Sequence, residues 1–293
     1  MDIRVLKYFL TVAREESITK AAETLHMTQP PLSRQLKDLE EEVGKQLLIR
    51  GSKKISLTED GILLRKRAEE IVDLMEKTKA ELNNSDKNIS GDIYIGSGET
   101  DAISFFAQAA GNLQKRHPMI HYHIYSGDSK RVLERLDKGL IDFGLLVGPV
   151  DIEKYDRMKL PIADTWGVLM RKDSPLAEKE YICAEDLWDK PLILSHQASS
   201  SSNMITWLKT DFSKLNIILN YDLIYNASHF VKKGLGYAVA LDKLINTTGD
   251  SELCFRPLYP PLKAELSIVW KKYQVFSRAS STFLHELQAE WEE

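Results

Sequence analysis

Apolar positions fall in two rhythms along the chain: helical spacing up to about residue 83, and strands alternating with helices from Gly91 onward. Residues 3–15 carry Val5, Leu6, Phe9, Leu10 and Ala13 at helical intervals, and a short helix holding Ala21, Ala22 and Leu25 follows Ser17, a natural cap. In Thr28–Gly44, about 100° per residue puts Leu32, Leu36, Leu39 and Val43 on one stripe, with Pro30, Ser33, Arg34 and Lys37 pointing away. Thr28 is an expected N-cap, and Pro30 and Pro31 fall in the first turn, where a missing N–H costs little. The stripe alone describes an ordinary amphipathic surface helix. His26 and Met27, however, leave only a tight turn before it, which is helix-turn-helix spacing. Such a pair sets the N-terminal residues of the second helix against base edges in a major groove and its first-turn N–H groups near phosphates.

Leu47–Leu57 alternates in the manner of a hairpin around Gly51 and Ser52, a two-stranded wing. Thr58 then caps a helix expected to reach about Asn83, with Leu64, Ala68, Ile71, Met75, Thr78 and Leu82 spaced by fours and threes. A rod of roughly 37 Å with one apolar seam is expected to pair with the same helix of a second subunit; burial against its own chain is the alternative. Residues 84–90 are polar and turn-rich, as in a hinge. Beyond them strands are expected at 92–97, 120–126, 140–148, 166–170, 192–194, 217–224, 237–240 and 266–270, with helices at 103–116, 132–138, 203–212 and 228–233.

Charge sharpens this division. The whole chain of 293 residues has a net charge of −4, which by itself argues against a nucleic-acid partner. Residues 1–58 nevertheless carry ten Lys and Arg against eight Asp and Glu, and 45–58 hold Lys45, Arg50, Lys53 and Lys54 with no acid. A local basic patch on an acidic molecule suits one domain that meets phosphates and another that stays off them. The stretch VLKYFLTVA is interrupted and flanked by Arg4, Lys7 and Arg14 and lacks a cleavage site, so a core-facing helix and a cytoplasmic protein are expected, with no membrane partner. Cys183 and Cys254 are solitary and read as reduced thiols without a role.

From Leu6-Lys7-Tyr8-Phe9 through SITKAAETLHMTQPPLSRQLKDLEEEVGKQLLIR to LTEDG, the chain closely resembles the DNA-binding domain of LysR-type transcriptional regulators. Ala21-Ala22, Leu25, Gln29-Pro30, Leu32-Ser33, Leu39-Glu40, Gly44, Leu47, Arg50, Leu57-Thr58 and Gly61 match in order, and Leu48 stands where Phe is common. The remainder resembles the family's effector-binding domain more loosely, through SPLA at Ser174–Ala177, DLWDKPLI, KKGLGYAVA at Lys232–Ala240 and RPL at Arg256–Leu258. Ser174 replaces a usual His and Leu241 a common Pro. The resemblance implies an α+β multidomain protein: a winged helix-turn-helix at 1–58, a dimerising linker helix and hinge at 59–90, and at 91–293 a two-lobed α/β domain similar to periplasmic binding proteins. Lobe 1 is expected at about 91–160 and 263–293 and lobe 2 at about 161–262, with crossovers near Leu160-Pro161 and Leu262-Lys263. It also implies double-stranded DNA, a small-molecule effector of unknown identity and a homodimer through the linker helix, assembled as a dimer of dimers, as partners.

Residues expected to meet DNA are Thr28, Gln29, Pro30, Ser33, Arg34 and Lys37 on the helix and Arg50, Lys53 and Lys54 on the wing. In a two-lobed domain ligands sit at the carboxyl ends of strands beside helix N-termini. That points to Gly98, Glu99, Thr100, Ser126, Asp128 and Ser129 from one lobe and Ser195, His196, Asn226 and Ser228 from the other. A small polar effector that is neutral or carries an amine is expected there, anchored by Glu99 or Asp128; equally, these acids can simply cap helices. No cofactor, metal or catalytic residue is expected. His121 and His123 share a strand face but lack a third ligand, Ser200–Ser202 near His196 lack a nucleophile elbow, and the glycines at 234 and 236 are not a dinucleotide fingerprint. The alternative function is a small-molecule binding protein or enzyme on the α/β domain, which has no use for a helix-turn-helix, a wing and a rod.

Overall fold

A computed structural model gives the structure and describes residues 1–51, 54–82, 89–148, 153–200 and 202–292. It divides into two compact units, Met1–Asn83 and Asn84–Glu293.

In the first unit α1 (Ile3–Glu15), α2 (Ile18–Thr24) and α3 (Gln29–Val43) surround a small core of Phe9, Val12, Ile18, Ala21, Ala22, Leu32, Leu36 and Leu39. Asp2 caps α1 and Ser17 caps α2 through backbone N–H groups of the first turn. On α1 the inward face is Leu6, Phe9 and Val12 rather than Ala13, and on α3 the stripe stops at Leu39, since Val43 is 37% exposed. The α3 helix ends at Gly44 in the left-handed conformation (φ +66°), which a side chain adopts only at a cost. Strands β1 (Leu48–Arg50) and β2 (Ile55–Leu57) pair antiparallel with Leu48 opposite Leu57 and Arg50 opposite Ile55. Leu48, in the place where the family commonly has Phe, is fully buried in the small core.

Thr58 begins α4 (Glu59–Leu82): its Oγ accepts the Gly61 N–H at 2.9 Å and donates to the Gln46 carbonyl at 2.8 Å. A Cβ on Gly61 would come within 2.1 Å of the Leu47 carbonyl oxygen, so only glycine lets the helix start this close to the wing. Part of the expected seam is used inside the unit. Ala68 is fully buried, α4 packs along α1, and Lys7 of α1 pairs with Glu76. Ile71 and Leu74 stay 41% exposed and Leu82 80% exposed. Of the expected hinge at 84–90, residues 84–88 lie outside the described residues.

The second unit holds one sheet of nine described strands bent into two lobes. Lobe 1 orders its strands β4-β3-β5-β11-β6, with β3 (Gly91–Ser97), β4 (Ile120–Ser126) and β5 (Phe143–Val147) parallel and β11 (Lys263–Lys271) antiparallel to β5 and β6 (Tyr155–Arg171). Helices α5 (Ile103–Arg116) and α10 (Arg278–Glu292) pack together, with α10 also against β3, around Phe106, Phe143 and Phe283. The α6 helix (Ser129–Asp137) meets β5, β3 and β11 through Val132 and Leu136.

The β6 strand is the link between lobes, and it is far longer than the five residues its sequence pattern suggests. Residues 155–165 pair with β11, whereas 166–171 pair with β9 (Tyr237–Leu241) on one side and β10 (Leu253–Pro257) on the other. Opposite Leu266 the register slips, which lets Pro161, with no N–H to give, sit in the strand. In lobe 2, β7 (Leu192–Ser195) pairs parallel with both β9 and β8 (Ile217–Tyr221). The stretch 217–224 is not one strand: it ends at Tyr221, and α9 (Ile224–Lys232) begins at its far end, packed on β6, β8 and β9. The short helices α7 (His196–Ser200) and α8 (Ser202–Leu208) follow β7. Leu241 is buried at the end of β9, paired with Trp166, and Ser174 bonds the Tyr237 hydroxyl at 3.0 Å.

Candidate nucleic-acid interface and ligand crevice

On the first unit, Gln29, Pro30, Ser33, Arg34 and Lys37 line one open depression with Arg50 of the wing, together with Asp38 and Glu41. The leucine stripe fixes this arrangement by burying the opposite face of α3. Lys37 pairs with Glu41 at 3.2 Å and Lys54 with Glu16 at 3.2 Å, so both ammonium groups are partly neutralised. Arg34 and Arg50 form no ion pair among the described residues and are the groups best placed to meet an anion. Thr28 begins α3 without a side-chain capping bond, which leaves its hydroxyl exposed. The expected cluster of first-turn N–H donors shrinks to one, because Pro30 and Pro31 follow Gln29 at the helix start and have none. Lys53 lies outside the described residues. Asp38 and Glu41 were absent from the sequence-based set; their helical spacing from Arg34 and Lys37 was the signal.

The wing owes its position to Glu40 on α3, whose carboxylate accepts the N–H groups of Leu47 at 2.7 Å and Leu48 at 3.0 Å. The Ile55 N–H is held by the Glu16 carbonyl at 2.9 Å.

In the second unit the carboxyl ends of β3, β4, β7 and β8 meet at a crevice lined by Gly98, Glu99, Gly127 and Asp128 of lobe 1 and Ser195, His196, Tyr221, Asp222 and Leu223 of lobe 2. The cavity left between them is only about 20 Å³. Gly98, Glu99, Asp128, Ser195 and His196 of the ten residues named from the sequence line it, while the other five do not. Thr100 is buried, its hydroxyl bonded to the Asp164 carboxylate and accepting the Ala102 N–H. Ser228 is buried against the Tyr225 carbonyl, Ser129 donates to the Val147 carbonyl at 3.3 Å, and Ser126 and Asn226 are exposed.

Direct bonds span the two sides of the crevice. The Glu99 carboxylate accepts the N–H of Ile224, the first residue of α9. Arg131 reaches Asp222 at 3.1 Å, and Lys243 reaches Asp101 at 3.3 Å. The last two are exposed pairs and contribute little. Glu99 is half-buried, and that burial pushes its carboxyl above the usual glutamate range although the Ile224 N–H pulls the other way. Asp128 caps α6 by accepting the Arg131 N–H at 2.8 Å, with the Arg131 guanidinium 3.8 Å from its other oxygen. Burial raises the hydroxyl pKa of Tyr221, which donates to the Val239 carbonyl at 2.8 Å. A larger cavity of about 440 Å³ adjoins α9, with Leu169, Ile224, Ala240, Leu241 and Phe255 among its walls. Away from the crevice, His123 lies 2.7 Å from Asp92 and stacks on Tyr94.

Residues 3–62 match the family described as bacterial regulatory helix-turn-helix protein, lysR family, and residues 86–292 match LysR substrate binding domain. The chain belongs to the LysR family of transcriptional regulators. The regulator BsdA of Bacillus subtilis is 32% identical over 223 residues, 74% of this chain and 74% of its own. YfeR of Shigella flexneri, named an uncharacterized HTH-type transcriptional regulator, is 24% identical over 95% of this chain and 91% of its own. Among solved structures, full-length CbnR complexed with its target DNA superposes with a TM-score of 0.76 at 18% identity, covering 99% of this chain and all of CbnR, a likeness of fold. Both expected parts of the LysR-type architecture, the helix-turn-helix and the substrate-binding domain, are thus present in this member, and no described helix is long and apolar enough to cross a membrane.

Proposed function

We propose that this LysR-family regulator reads a pseudo-palindromic promoter site as an oligomer, and that a small-molecule effector acts on it through the interlobe crevice. The observation that carries this is the depression in which Arg34 of α3 and Arg50 of the wing, neither ion-paired among the described residues, converge on one face, opposite the leucine stripe. On that reading Arg34 reads base edges, while Arg50, Lys53 and Lys54 ride the backbone or a minor groove. Thr28, Gln29, Pro30 and Ser33 fix the approach of the helix start. The neighbour CbnR was solved with its target DNA, which favours the same docking here. Ile71, Leu74 and Leu82 leave an apolar strip on α4 suited to a partner's α4, which would space two DNA-reading units. Two such dimers joining through the α/β domains is the assembly proposed, and the cytoplasm, where the DNA is, its compartment. The homologues are named regulators, and no catalytic role is assigned.

Nuclease footprinting on the promoter region beside the protein's own gene, with and without candidate metabolites, tests the whole reading. Protection of two half-sites about one helical turn or a multiple apart, altered by a metabolite, supports it. Turnover of a metabolite without any footprint replaces it with an enzyme.

A further inference from the structure

We propose that Glu99 is a tethered occupant of the effector crevice: it fills the place of a small carboxylate effector, which must displace it to bind. This rests on the crevice being the effector site. Three features of the molecule, two of which share the Glu99–Ile224 bond, agree on it. The α9 helix has Leu223 in the capping position, an apolar residue with no atom to offer, so its cap comes from Glu99, 125 residues earlier and in the other lobe. Ligand sites of this kind span about 300–1,000 Å³, whereas the crevice with Glu99 in place retains about 20 Å³, room for a water. Finally, the lobes are already joined across it by Glu99 to Ile224, Arg131 to Asp222 and Asp101 to Lys243, the kind of bridging a ligand performs when it closes two lobes. An effector therefore selects an opened state, and its apparent affinity is lowered by the fraction of molecules in which Glu99 holds on.

The chemistry of the displaced group sets the class. A neutral ligand can at most replace the hydrogen-bond acceptor, and an amine brings the wrong charge to the start of α9, whereas a carboxylate restores both the acceptor and the negative charge that Glu99 gives up. Glu99 is then the competitor of the effector rather than its anchor, and it sets a threshold concentration below which the regulator stays self-closed.

Acetate against chloride at matched ionic strength, on the full chain, tests this through the thermal unfolding midpoint. Glu99→Ala is expected to lower the midpoint, and acetate to restore it saturably, since the freed carboxylate position accepts the added anion. Wild type should respond to acetate no more than to chloride. The proposal is overturned if Glu99→Ala responds to the two salts alike, or if wild type gains as much from acetate as the variant does. Should Glu99→Ala not fold, hydrogen exchange at the Ile224 amide decides: Glu99→Leu, which removes the acceptor but keeps most of the bulk, should speed it at least tenfold, and an unchanged rate overturns the proposal. None of these measurements uses DNA, so a missing footprint leaves them standing and their failure leaves the regulator reading intact.

Discussion

Glu40 and Leu47 are joined by a carboxylate-to-amide hydrogen bond of 2.7 Å, and the same Glu40 oxygen takes the Leu48 amide at 3.0 Å. A side chain on α3 thus sets the wing's starting point, and through it the place of Arg50. Glu40→Ala leaves two part-buried N–H groups without this acceptor, a cost of about 1–3 kcal/mol. The expected result is a lower unfolding midpoint of the first unit together with weaker DNA binding, without a change in the order of preferred sequences. Calorimetry paired with binding to a panel of mutated sites checks both halves.

Arg34 and Arg50 should fail differently. Arg34, whose planar fork stands near the start of α3, is expected to contact guanine, and Arg34→Ala to lose about 1–3 kcal/mol of discrimination at one base pair. Arg50→Ala should weaken all sequences alike and reduce the slope of log affinity against log salt by roughly one. Reversal of the two phenotypes in salt titrations would show that the roles are exchanged.

On α4, residues counted on one seam divide between two jobs. Ile71 is exposed at 41% and free for a partner helix, so Ile71→Glu should break dimers by burying an unpaired charge and lower DNA affinity with every basic residue in place. Ala68 is fully buried on the helix that packs along α1, so Ala68→Leu should cost about 1–3 kcal/mol of stability through overpacking. Sedimentation velocity separates these: Ile71→Glu should sediment as a smaller species with its fold intact, and Ala68→Leu should lower the unfolding midpoint.

Helix positions in the first unit were legible because each buries a single stripe, so periodicity and burial coincide, as at Leu32, Leu36 and Leu39. The second unit was readable in the positions of most of its strands but not in β10, at Leu253–Pro257, nor in its crossing strand. Residues 155–165 of β6 alternate partly and contain a proline, and nothing local announces that they continue into 166–171. The crevice was legible as a set of loops after strands. Which side chains face it was not, because Thr100 and Ser228 turn inward to bond Asp164 and the Tyr225 carbonyl, and Arg131 comes across from a helix whose own pattern marks only its buried face. Glu99 capping a helix 125 residues away is a tertiary fact with no local signature, apart from the weak hint of a leucine where a cap belongs.

Asp164 supplies the last prediction, because it couples the crossing strand to pH. Its carboxylate is buried at the point where β6 passes between lobes and is bonded to the Thr100 hydroxyl, with Asp101, Asp242 and Lys243 nearby. Burial raises its pKa above the ordinary aspartate value; the Thr100 hydrogen bond and Lys243 oppose the shift, and Asp242 and Asp101 reinforce it. For an acid raised on folding, the native state binds the proton more tightly than the unfolded chain. Its contribution to stability is therefore complete below the unfolded value of 3.8 and is lost as pH rises through the raised native value. Glu99, raised by burial above 4.5, has the same sign. Acidification from neutrality into this window should thus stabilise the second unit relative to Asp164→Asn, in which no proton is taken up at that position. The difference between wild-type and Asp164→Asn unfolding free energies, measured by urea titration at intervals from pH 4 to 7, should shift in favour of the wild type as pH falls. A difference that stays flat across that range would remove Asp164 as a source of proton linkage.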